Sequence, residues 1–157
     1  MRIERKRLAE IDKQLIIQLC NDPQIKKHMP LSKENFDLDE YEKFIKAKEK
    51  IWLDNNYGPW AYLVDGKFVG WGGLQPEDGD VEIALVLHPQ YWGYGPLLFK
   101  DIIKYAFETL KLKSVIVLFP PSRSKVKGLL KLGFKKEIEV DIEGSQFIRY
   151  RLDSHLC

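Results

Sequence analysis

The 157-residue chain is 45% hydrophobic and 31% charged, and its 25 Lys and Arg nearly balance 23 Asp and Glu for a net charge of +2. This composition excludes a disordered or low-complexity chain and supplies no broad field for steering toward nucleic acid. The length predicts one domain over residues 1–157; no apolar run suits a signal peptide or a bilayer span, so a cytoplasmic location is expected. Cys20 and Cys157 lie far apart, so neither a disulfide framework nor a thiolate metal site is expected.

Leu8, Ile11, Leu15 and Leu19 recur at spacings of three and four, which predicts a first helix stopped by Pro23, with Cys20 as a core residue. Asp37 followed by Glu40 reads as a capping box. The second helix then runs to about Asp54, with Tyr41, Phe44, Ile45, Lys48 and Trp52 on one side. WAYLV, the Asp65-Gly66 turn, KFVGWGGL, the polar PEDGD turn and VEIALVL predict an antiparallel meander. A third helix is expected from about Leu97 to Leu110, turning Phe99, Ile102, Ile103, Ala106, Phe107 and Leu110 inward and Lys100, Asp101, Lys104 and Glu108 to water. SVIVLF is an unbroken apolar run, so VEIALVL, this helix and SVIVLF predict a βαβ crossover with parallel neighbouring strands. A short helix from about Ser124 to Leu132, closed by Gly133, precedes strands KKEIEVDI and QFIRYRL, joined at Glu143-Gly144. The fold class is α/β with a mixed sheet.

Between VEIALVL and the third helix stands Gln90-Tyr91-Trp92-Gly93-Tyr94-Gly95-Pro96. Glycines between a strand and a helix allow backbone N–H groups to approach an anion lying on the helix dipole. Pro96 suits a first helical turn but removes one donor. A dinucleotide fingerprint would need a third glycine where Leu98 stands, and a P-loop would need Lys and Ser or Thr after its last glycine; neither is present. By itself the turn reads first as a tight strand-to-helix connection with no ligand.

The strand VEIALVL, the turn HPQYWGYG and the following helix resemble the coenzyme A-binding core of the GNAT superfamily of N-acetyltransferases. Gln90, Gly93 and Gly95 fit that family's pattern of Gln or Arg, two residues, Gly, one residue, and Gly or Ala. NDPQIKKHMP, FVGWGGL, HPQYWGYG and LLKLGFKKE resemble, in the same order, the branch that acetylates ribosomal-protein N-termini at alanine or serine.

The resemblance implies the GNAT fold: a mostly antiparallel sheet of about seven strands, a parallel splay between the fourth and fifth, and about four helices. It implies acetyl-coenzyme A as co-substrate, no metal, and acetyl transfer to a primary amine by direct attack in a ternary complex. The pantetheine arm would pair with Ala84, Leu85, Val86 and Leu87, and the pyrophosphate would rest on the backbone of Trp92, Gly93, Tyr94, Gly95 and Leu97. Arg123 and Lys125 would contact the phosphates. Ser122 stands where the family usually has an Asn, offering only a hydroxyl, and Leu130 stands where many members carry a Tyr acid. Glu82 matches a position where the family often has a Glu acting as base through water; a Glu beside a polar turn also reads as simply solvated. His88 reads as structural.

The acceptor groove of such enzymes lies between the first two helices and the last hairpin, where Glu34, Asp37, Asp39, Trp52 and Tyr57 are candidates. Arg123, Lys125, Lys127, Lys131, Lys135 and Lys136 form a basic cluster that reads as a solvated face, and nucleic acid is not an expected partner. The expected partners are a coenzyme A thioester and an amine, with no membrane, in a monomer or homodimer. The rival reading, motivated by Ser122, Pro96 and Leu97, is a coenzyme A-binding module without catalysis.

Overall fold

The computed structural model describes residues 1–27, 35–121, 123 and 126–156. Their framework is a seven-stranded sheet in the order β1-β2-β3-β4-β5-β7-β6. The strands are β1 (Ile3–Lys6), β2 (Pro59–Val64), β3 (Lys67–Glu77), β4 (Asp80–Leu87), β5 (Ser114–Phe119), β6 (Lys135–Ile142) and β7 (Ser145–Asp153). Among the described residues the α-helices are α1 (Lys13–Asn21), α2 (Pro23–Lys27), α3 (Leu38–Asn55), α4 (Gly95–Lys104) and α5 (Lys127–Lys131). None of them is long and apolar enough to cross a membrane.

Local chemistry sets the hairpins. Asp65 and Gly66 (φ 51° and 82°), Asp78 and Gly79 (49° and 84°), and Glu143 and Gly144 (50° and 83°) are consecutive left-handed pairs. Such pairs make the turns whose twist matches the flanking strands. The expected meander β2-β3-β4 and the final hairpin β6-β7 follow, and β4 and β5 are parallel neighbours across α4.

The sheet buries both faces. Trp60, Tyr62, Ile83, Leu87, Val115 and Val117 pack with Leu98 and Ile102 of α4, and with Ala106 just beyond it, on one side. Ala61 and Trp71 pack with Ile16 and Leu19 of α1, Ile25 of α2 and Tyr41 of α3 on the other. In β3 a Cβ at Gly70 would run into the Val86 carbonyl and the Leu87 backbone, and at Gly72 into the Leu85 side chain and the Ala84 carbonyl, so these glycines let β4 lie close.

Three expectations are revised. The first helix begins only at Lys13, with Leu8 in a separate 3₁₀ turn; Ile16 and Leu19 are buried while Leu15 is exposed. The first helix does stop ahead of Pro23, at Asn21, and Pro23 then opens α2, because proline's missing N–H costs nothing in a first turn. The third helix is regular only to Lys104 and continues as a π-helical turn over Tyr105–Thr109, where Tyr105 packs edge-on against Trp60 at 4.7 Å. Asp101 does not face water alone: it accepts the Tyr62 hydroxyl at 2.8 Å and pairs with Arg5 at 3.2 Å.

Candidate functional site

β4 and β5 touch at one register pair, Glu82 with Ile116. Beyond it, no described residue of β5 pairs with β4, although β4 continues to Leu87 and β5 to Phe119. The two strands part, and the β4 edge from Ala84 onward faces an opening. Alternation along β4 turns Leu85 and Leu87 toward α4 and Ala84 and Val86 toward α1 and α3. The Leu87 carbonyl already accepts the Trp92 indole N–H at 2.9 Å, which leaves Ala84 to Val86 as the freer stretch of edge.

The opening leads to the glycine turn. Pro89–Tyr94 is a 3₁₀ turn running straight into α4, whose N-terminus, among the described residues, has no side-chain cap. Pro96 sits in the first turn of α4, as the sequence predicts. Neither Gly93 nor Gly95 has a left-handed φ. A Cβ at Gly93 would meet nothing within 4 Å, and at Gly95 only a Leu87 methyl at 4.0 Å. Packing within the chain therefore does not require these two residues to be bare, whereas an anion lying on the backbone would. Tyr91 and Tyr94 stack at 6.1 Å, and Trp92 and Leu97 are exposed beside the turn, as is Gln90.

Glu82 stands where the strands begin to part. Its carboxylate accepts a 2.9 Å hydrogen bond from Gln75 Nε2, directly opposite on β3. Burial pushes its pKa up to about 7; the Gln75 hydrogen bond and Lys48 pull it down, and Glu77 pushes it up. A carboxyl so placed exchanges its proton near neutral pH, unlike an ordinary solvated glutamate. Lys48 reaches in from α3, its Nζ 4.6 Å from the Trp71 ring and 3.4 Å from Gln75 Oε1. Gln75 and Lys48 were not singled out from the sequence as site residues; the alternation of β3, set against Glu82 across the PEDGD turn, is the signal that points to Gln75.

A cleft of about 510 Å³ lies between the β3–β4 and β6–β7 turns, and Ile116, the register partner of Glu82, is in its lining. Ile116, Leu118, Val140 and Ile142 line it together with Glu77, Asp78, Asp141, Glu143 and Arg149. The last hairpin thus contributes to a groove, and Asp37, Asp39, Trp52 and Tyr57 are not in the lining of this cleft. Asp37 caps α3 by accepting the Glu40 N–H, and Asp39 is exposed in the same helix's first turn. Trp52 donates to the Pro59 carbonyl and lies under Arg7, and Tyr57 packs with the α4-side core.

Ser122, Lys125 and Glu34 lie outside the described residues. Arg123 lies 4.0 Å over the Phe119 ring at the end of β5, at the mouth of the opening. His88 Nε2 is 4.0 Å from Asp22, bridging the glycine turn to the start of α2, in keeping with a structural role. Leu130 is exposed on α5, and its apolar side chain can supply no proton. Cys20 is partly buried in α1, and burial pushes its thiol up to about 11, as befits a core residue.

Residues 2–135 match the family described as Acetyltransferase (GNAT) domain. The chain belongs to the GNAT acetyltransferase family. A curated relative, the FsC-acetyl coenzyme A-N(2)-transacetylase of Aspergillus fumigatus, is 26% identical over 73% of this chain. The chain spans about half of that relative, 54% of its length. Among solved structures, a probable acetyltransferase superposes with a TM-score of 0.79 at 22% identity, covering 98% of this chain and 93% of the other. The aminoglycoside acetyltransferase AAC(6')-Ib in complex with coenzyme A also superposes with a TM-score of 0.79, at 13% identity, covering 99% of this chain and 96% of that one. At such identities the structural likeness speaks for the GNAT fold, which is the fold the sequence predicts. The bare glycine turn and the parted strands fit a coenzyme A thioester: the turn offers backbone to a pyrophosphate, and the β4 edge offers hydrogen-bonding groups to an amide-containing arm.

Proposed function

We propose that this chain is an acetyl-coenzyme A-dependent N-acetyltransferase acting on a primary amine, with Glu82 as general base. The observation that carries the proposal is a half-buried carboxyl held near neutral pKa at the point where β4 and β5 separate. Acetyl-coenzyme A lies in the gap, its pantetheine amides along Ala84 to Val86 and its pyrophosphate on the backbone of Trp92 to Leu97. Arg123, Ser122 and Lys125 follow β5 and serve the same ligand, Ser122 by donating its hydroxyl near the thioester.

A primary amine is mostly ammonium at neutral pH and must lose a proton before it attacks. The acceptor approaches over the cleft that Ile116 helps to line, where Glu77, Asp78, Asp141 and Glu143 favour a cation. Glu82 takes the proton, directly or through one water, and the neutral nitrogen attacks the thioester carbonyl. The N–C bond forms, the C–S bond breaks, and the proton that the acetylated nitrogen then sheds is taken up by the departing thiolate. No nucleophilic side chain is needed, because both substrates are held together.

Isothermal titration with acetyl-coenzyme A and with coenzyme A tests the first half of the proposal. Thiol release on adding 1,4-diaminobutane, lysine methyl ester and an alanine-initiated hexapeptide tests the second. Saturable binding with amine-dependent thiol release is expected. Binding without release for any primary amine favours the rival reading of a coenzyme A-binding module, for which Pro96 and the exposed Leu97 at the turn are the motivation.

A further inference from the structure

Glu82 is the end of a chain of side chains that begins on α3. Lys48 Nζ donates to Gln75 Oε1 at 3.4 Å, a long contact, and Gln75 Nε2 donates to Glu82 Oε1 at 2.9 Å. Gln75 and Glu82 are direct partners in the β3–β4 ladder, so their side chains leave the sheet side by side. An amide has one accepting end and one donating end, and an ammonium group can only donate. Lys48 therefore holds the oxygen of Gln75 and leaves the NH₂ end for Glu82. Lys48 is itself held in place, its Nζ 5.4 Å from the Phe44 ring and 4.6 Å from the Trp71 ring.

We propose that Gln75 and Lys48 are positioning residues for Glu82: Lys48 fixes the orientation of the Gln75 amide, and the amide holds the Glu82 carboxylate ready to accept a proton. This assignment rests on the reading of Glu82 as the base. The other charged groups nearby do not duplicate it. Glu77 of β3 opposes the carboxylate, Cys20 of α1 stays a thiol, and Asp80 of β4 is bound bidentately by Arg151 of β7 at 2.8 and 3.0 Å. Lys48 and Gln75 are thus the groups that favour the charged form of Glu82. Without Lys48 the amide is free to turn its oxygen toward Glu82, where it would accept from the protonated acid and favour that form instead.

The test is the titration of the Glu82 carboxyl, followed by NMR in the full chain labelled with ¹³C-glutamate and assigned by loss of the resonance in Glu82→Gln. Gln75→Met and Lys48→Met should each raise the midpoint by about half a unit or more, and Lys48→Arg, which keeps the charge, should leave it near the parent value. A purely structural role would change melting temperature without moving the titration. Should one Met variant fail to fold, the other decides; an unmoved midpoint in a folded Met variant overturns the proposal. The pH dependence of thiol release, with 1,4-diaminobutane as probe amine, separates this failure from failure of the base itself. If Glu82→Gln abolishes the acidic limb but Gln75→Met does not shift it, only the positioning role falls. If Glu82→Gln keeps the limb, the base reading falls and this assignment with it.

Discussion

Replacing Glu82 by Gln should make the protein more stable at alkaline pH. In the folded chain the carboxyl is raised from an ordinary 4.5 to about 7, chiefly by burial. Between those values the folded state holds a proton that the unfolded state has lost, so stability falls as pH rises through this window and levels off above about 7. At ~1.36 kcal/mol per pH unit the full displacement corresponds to about 3 kcal/mol. Glutamine is nearly the same shape, carries no charge to desolvate, and can still bond to Gln75. The variant should therefore match the parent near pH 4.5 and exceed it by up to about 3 kcal/mol at pH 8, or about 6 to 12 °C in melting temperature for a chain of this size. The assay is thermal unfolding of both proteins from pH 4.5 to 8.5, read as a difference so that every other titrating group cancels. Curves that stay parallel over the whole range would refute the argument that burial perturbs Glu82. The same titration predicts an activity profile: thiol release should rise with pH up to about 7 and then level off, so the pH that favours catalysis is the one that costs stability.

Gly95→Val should lower acetyl-coenzyme A affinity at least ~100-fold, about 2.7 kcal/mol, while the melting temperature barely changes. Its Cβ enters space where the nearest protein atom is 4.0 Å away, so calorimetric affinity unchanged in the variant would show that the cofactor lies elsewhere. Tyr62→Phe removes a fully buried hydroxyl that Asp101 accepts, and a loss of about 1–2 kcal/mol in urea unfolding is expected. Arg151 joins Asp80, Ser114 and Glu137 across four strands, and its hydrogen bonds hold both carboxyls below their ordinary values. The stability they contribute is present above the ordinary carboxylate range and lost as pH falls through the lowered values; Arg151→Leu should weaken that acid dependence, as unfolding at pH 3 and pH 6 would report.

By itself the sequence determined the elements whose causes are local. Asp-Gly and Glu-Gly pairs at 65, 78 and 143 adopt left-handed geometry wherever they occur in a tight hairpin, so the meander and the last hairpin were legible without any tertiary contact. The apolar run SVIVLF following VEIALVL and a helix likewise pointed to the parallel crossover, and Gly93-Tyr94-Gly95 marked the strand-to-helix turn. β1 was not legible as a strand, because IERK has no apolar run of its own and becomes one by pairing with Leu63 and Val64 of β2. The first helix was misread for a related reason: Leu8 and Ile16 are buried against the sheet from two separate elements, and a spacing of three and four cannot tell one element from two. Most of all, the sequence could name Glu82 but not what surrounds it. Gln75 is seven residues away and Lys48 thirty-four, and only the packing of α3 across β3 and β4 brings an ammonium, an amide and a carboxyl into one chain, since a proton affinity is set by the space around a group and not by its neighbours in sequence.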